Sequence, residues 1–127
     1  MIDFKTITGT QILSLNTSPI EVTQGAVGYL PVAWFCAYKF NTGAFGTNLT
    51  IELMCGSVVI GEAANAISGT ASKVTNGSIT GGSVILTDHT PLKVRVKTGN
   101  PGAGNANASL TVMVAYIPAN YLIGWYL

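Results

Sequence analysis

Leu92-Lys93-Val94-Arg95-Val96-Lys97 sets three apolar residues in strict alternation with three basic ones. A period of two is the mark of a β-strand with one face buried and the other solvated. Asn48 to Met54 repeats it: Leu49, Ile51 and Leu53 face one way, Thr50 and Glu52 the other. Ser109 to Ile117 is apolar at both parities, which suits a strand in the middle of a sheet or between a sheet and a partner.

Outward from these three stretches the pattern continues. Short runs of Val, Ile, Thr and aromatic residues are punctuated by Gly, Asn, Ser and Pro. Further strands are expected over Thr10–Leu15, Ile20–Thr23, Tyr29–Phe40, Val58–Ile60 and Val84–Thr87. The long Tyr29–Phe40 run should bend near Pro31, which cannot donate to a ladder. Gly61 to Gly82 reads as a loose region with a weak strand at Ser78–Thr80. Helix signals are nearly absent, and the best short candidate, Glu62–Ala66, is too short to stand alone. The count comes to about eight or nine strands with turn signals about every 8–12 residues, an all-β pattern of sandwich or barrel type. With 127 residues and no internal boundary, residues 1–127 are expected to form a single domain, with 118–127 set apart as a candidate interface tail.

Charge is the unusual feature of the composition. Only 9% of residues are Asp, Glu, Lys or Arg, against about 25% in ordinary soluble proteins. Net charge is +1, 48% of residues are hydrophobic and the mean hydropathy is +0.45. A surface so poor in charge has little electrostatic defence against association, so a homo-oligomer is expected. High apolar content with low charge excludes a disordered chain. The longest weakly interrupted apolar stretch, Ala26–Tyr38, contains Pro31 and falls short of the roughly 20 residues a membrane-crossing helix needs. No basic-then-apolar signal follows Met1, so no membrane partner and synthesis in a cytoplasm are expected.

Candidate chemistry is sparse. The single histidine, His89, follows Asp88 in a Thr-Asp-His-Thr-Pro turn. Adjacent residues on an extended chain point to opposite faces, which is the wrong arrangement for a catalytic triad. One His, the isolated Cys36 and Cys55 and five scattered acids give no metal-ligand spacing. The glycine-rich Thr98–Asn105 lacks the Lys-Ser/Thr of a phosphate loop. The two cysteines read as buried thiols. No enzyme activity and no cofactor are expected. Lys93, Arg95 and Lys97 form a candidate polar contact face, weighed against a solvated face that keeps an edge strand from pairing. A net charge of +1 is too small a basic field for a nucleic-acid partner. The stretch Tyr121-Leu122-Ile123-Gly124-Trp125-Tyr126-Leu127 holds three aromatics and no charge. It is expected to be either a core strand or an interface element.

Several segments together resemble small virion proteins of tailed bacteriophages. These are Ser14–Val22 with its Ser-Pro-Ile-Glu-Val step, Tyr29-Leu30-Pro31-Val32, Gly46-Thr47-Asn48-Leu49-Thr50-Ile51, and Thr98-Gly99 leading to Ser109-Leu110-Thr111-Val112-Met113-Val114-Ala115-Tyr116. The likeness spans most of residues 10–117. The sequence departs from the pattern at Gln24–Gly28, in a longer hairpin loop and in the apolar stretch after Ile117. The resemblance implies a jelly-roll-like antiparallel β-sandwich, often trimeric, located in the virion as a capsid decoration or head-fibre component. Its implied partners are copies of itself and the major capsid protein. The alternative within the same architecture is a receptor- or glycan-binding tip domain of a tail fibre.

Overall fold

The computed structural model of the protein describes residues 2–23, 28–41, 45, 47–79, 91–101 and 107–118. They contain eight strands: β1 (Ile2–Thr8), β2 (Ile20–Thr23), β3 (Tyr29–Lys39), β4 (Leu49–Cys55), β5 (Val58–Ile67), β6 (Lys73–Asn76), β7 (Leu92–Val96) and β8 (Ser109–Pro118). One helical turn, α1 (Gly9–Ile12), follows β1.

The strands form two four-stranded sheets, β1-β8-β3-β6 (sheet A) and β2-β7-β4-β5 (sheet B). Every pairing is antiparallel. The partners β1·β8, β2·β7, β3·β6 and β4·β5 are those of one long hairpin. Rolling that hairpin up brings β8 beside β3 and β7 beside β4, and the product is an eight-stranded jelly roll. The all-β sandwich expected from the alternation is therefore the fold.

Alternation decides which side chains the two sheets enclose. Leu110, Val112, Val114 and Tyr116 of β8 point inward beside Trp34, Cys36 and Tyr38 of β3. Leu92, Val94 and Val96 of β7 face them from sheet B, with Ile51 and Leu53 of β4. Each fully buried aliphatic side chain in this layer contributes about 1.5–3 kcal/mol.

The sandwich is held shut at both long edges. At one, Gly77 N donates to Trp34 O of sheet A and Ser78 N donates to Glu62 O of sheet B, both at 2.8 Å. The Trp34 indole Nε1 also donates to Ser78 O at 2.7 Å. Only glycine fits at 77, because a Cβ there would overlap the indole ring. At the other edge, Thr23 Oγ1 of β2 donates to Asp3 Oδ2 of β1 at 2.5 Å.

Three expectations are corrected by the structure. Thr10–Leu15 is not a strand: Thr8 and Gln11 form a capping box that starts α1, and the turn buries Ile12 and then Leu15. A strand not foreseen in the sequence, β1, precedes it. The Gly61–Gly82 region is more regular than its composition suggests, since β5 continues through Glu62–Ala66 to Ile67. A bulge opposite Thr50 hides the alternation there, with Asn65 at φ 53° and its N–H donating to Thr50 Oγ1. The weak strand placed at Ser78–Thr80 lies earlier, at Lys73–Asn76, because Ser78 bridges the two sheets instead. Val84–Thr87 and the Asp88-His89 pair lie outside the described residues.

Candidate interaction faces

The two outer faces of the sandwich differ sharply in chemistry. On sheet B, β7 presents Lys93 and Arg95 outward and is followed at its end by the exposed Lys97, while Leu92, Val94 and Val96 are fully buried. Neighbouring strands add Glu21 opposite Lys93, Glu52 opposite Arg95, and Glu62 opposite Glu52. Six of the chain's eleven charged residues thus share this face, three of each sign.

Their arrangement is self-compensating. Glu52 and Glu62 sit directly across from one another, which alone would be repulsive. Arg95 Nε donates to Glu52 Oε1 at 3.0 Å, and Lys97 Nζ donates to Glu62 Oε1 at 2.6 Å. Glu52 is only 6% exposed, so its charge depends on Arg95. The hydrogen bond from Lys97 to Glu62, and then the Glu62 charge, push the Lys97 ammonium above its ordinary value. The basic residues singled out in the sequence are brought together on one face, and two of the three are bound to carboxylates of their own chain.

Sheet A presents the opposite surface. Ile2 and Phe4 of β1 are 62% and 69% exposed. The register sets Ile2 beside Ala115 and Ala33, and Phe4 beside Met113 and Phe35. Further along, Thr6 meets Thr111 through a 3.0 Å hydroxyl contact, then Ala37 and the 68% exposed Val74. Among the described residues, Lys39 and Lys73 bring charge to the far end of this side of the sheet. The apolar rows lie at the end where β8 leaves the sheet through Pro118. Sequence reasoning missed this surface, although Ile2 and Phe4 alternate with Asp3 and Lys5 and carry the signal.

No catalytic constellation occurs among the described residues, and no three His, Cys, Asp or Glu side chains group as a metal site requires. Cys36 and Cys55 are free thiols; burial pushes Cys36 up to about 12 and raises Cys55 as well. Burial likewise takes Tyr116 up to about 12, opposed by a hydrogen bond with Thr23. An open depression of about 470 Å³ beside Lys39 and Lys73 is lined by Ser72, Ser109 and Thr111 and holds no acid, histidine or thiol. Among the described residues no helix is long and apolar enough to cross a membrane. The candidate tail residues Tyr121, Leu122, Ile123, Trp125, Tyr126 and Leu127 lie outside the described residues.

No protein family and no curated protein matches the chain by sequence. Among solved structures, the fold is similar to a chain of the "Cyanophage Pam1 capsid asymmetric unit". The TM-score is 0.61 at 18% identity, over 91% of this chain and 82% of that one. The two chains therefore share their β-sandwich along nearly their whole length, and are of comparable length.

Proposed function

We propose that the protein is a non-enzymatic structural component of a bacteriophage particle, a capsid decoration or head-fibre protein that self-associates and contacts the major capsid protein. The observation that carries this reading is the likeness of the fold to a chain of similar length within a phage capsid asymmetric unit. The surface chemistry supports it. One outer face neutralises its own charges, and the other offers apolar side chains that a monomer has no reason to expose. A trimer is the oligomer favoured, by resemblance to small virion proteins of this architecture. The alternative is a receptor- or glycan-binding tip domain of a tail fibre, which needs an exposed aromatic beside Asn or Asp side chains in the loops.

Gold-labelled antibody against the protein, applied to particles from a lysate that makes it, tests the proposal. Many labels spread over the head are expected. Label confined to a tail tip would favour the fibre-tip alternative, and particles free of label would overturn both.

A further inference from the structure

We infer that two copies of the chain join edge to edge through β1, antiparallel about a two-fold axis at Phe4, so that sheet A of one copy runs on into sheet A of the other. The inference deepens the proposed self-association and rests on it.

Of the four strands at the sheet edges, β1 is the one suited to accept another strand. Strands β2 and β6 have four residues each. Strand β5 is longer, but its register against β4 shifts twice and Asn65 takes φ 53°. Strand β1 has seven residues and runs against β8 from Ile2 to Thr8 without a shift. A regular strand at an edge presents a row of backbone N–H and C=O groups that a further strand can satisfy.

Charge selects the register. In a two-fold antiparallel pair each residue faces one of its own parity, and the axis passes through a residue. Centred on Asp3, the pair opposes Asp3 to Asp3; centred on Lys5, it opposes Lys5 to Lys5; both are repulsive. Centred on Thr6, it sets Lys5 against Ile7 and Phe4 against Thr8. Centred on Phe4, it sets Asp3 against Lys5 of the second copy, twice over by symmetry, and Ile2 against Thr6. Lys5 is exposed and makes no ion pair among the described residues. A lysine on an edge strand keeps other strands away. Here the complementary carboxylate stands two residues before it, so the same lysine rejects the other registers and admits this one.

The outward row agrees with the charges. Phe4 is 69% exposed beside Met113 and Phe35. The Phe4-centred pair opposes the two rings across the axis and covers each with the other. The contact is isologous and closes on two chains. It therefore joins one favoured trimer to the next and does not build the trimer.

Disulfide trapping reads the register. Directly opposed residues hold their Cβ atoms about 4.5–5.5 Å apart and diagonal ones about 7–8 Å, and a disulfide joins the nearer pair. Phe4→Cys, Lys5→Cys and Val74→Cys are each made in a Cys55→Ser background and oxidised at tens of micromolar; Cys36 is fully buried and stays out of the reaction. Phe4→Cys should form a reducible species of twice the 13.2 kDa chain about tenfold faster than the other two. Val74, 68% exposed on β6, reports chance collision. Equal rates for all three, or a faster Lys5→Cys, overturn the inference. Adding Lys5→Asp or Asp3→Lys to the Phe4→Cys protein puts like charges opposite one another and should slow trapping about tenfold; mixing the two variants restores opposite charges and should return the rate. Circular dichroism checks that each keeps the β-sheet spectrum. Should Asp3→Lys not fold, Lys5→Asp decides alone, and an unchanged rate overturns the inference. If the inference fails while the unaltered protein still scatters as an oligomer, self-association through another surface stands. If the unaltered protein is monomeric at every concentration, self-association itself fails.

Discussion

Replacing Gly77 by Ala should be among the most damaging single-methyl changes this fold can suffer. A Cβ at 77 would overlap Trp34 Cε2, Cδ2 and Nε1. Carbon atoms need about 3.5–4.0 Å, so ring or backbone must yield by roughly 1.5 Å. Neither has room. Trp34 is 2% exposed in the core, and the backbone at Gly77 is held by its N–H bond to Trp34 O. Overpacking of this kind costs about 1–3 kcal/mol. Displacing the indole also breaks its bond to Ser78 O, which adds about 1 kcal/mol. The sum, roughly 3 kcal/mol, corresponds to a fall of about 10 °C in Tm for a domain of this size. Thermal unfolding followed by circular dichroism measures it. The double variant Gly77→Ala/Trp34→Leu should lose less than the two single changes added together, because the smaller side chain makes room for the methyl. A Gly77→Ala protein within about 0.5 kcal/mol of the original would refute the seating of Trp34 against Gly77.

Arg95→Ser should cost about 1–3 kcal/mol in urea unfolding, because it leaves the buried Glu52 carboxylate without its partner. Lys97→Ser should cost under about 1 kcal/mol, its pair with Glu62 being exposed; equal effects of the two would contradict the burial of Glu52. The triple change Lys93→Ser, Arg95→Ser and Lys97→Ser should still fold, and a chain that does not would contradict the outward placement of this face. Stability should fall as pH rises above about 9. The Cys36 thiol ionises at its ordinary value of 9.0 in the unfolded chain but only near about 12 in the fold, so its contribution is complete below 9 and drains away toward 12. That window amounts to at most about 4 kcal/mol, and Cys36→Ala should flatten the alkaline slope of the unfolding free energy.

What the sequence makes legible follows from where the alternation is clean. Val94 between Lys93 and Arg95 and Ile51 between Thr50 and Glu52 announce β7 and β4 with their buried faces, and both lie where read. The sandwich class follows from those strands and the turn residues between them. The misplaced elements share a cause, which is that local pattern competes with interactions made elsewhere in the fold. Thr8 and Gln11 cap one another and turn Gly9–Ile12 into a helix, although Ile12 and Leu15 would also suit a strand. The bulge at Asn65 shifts parity within β5, so Ala63 and Ala66 are both buried three residues apart and the run resembles a loop. Ile2 and Phe4 looked like an unremarkable chain start, because their exposure depends on β1 lying at an edge of sheet A with the outward parity. Carboxylate partners for Arg95 and Lys97 come from β4 and β5, more than thirty residues away in sequence, and no spacing reveals them.

Self-association is tested most directly by the mass of the purified protein. Light scattering across a dilution series from tens of micromolar downward should give an integer multiple of the 13.2 kDa chain, three copies being favoured. A clean 13.2 kDa species at every concentration would contradict self-association.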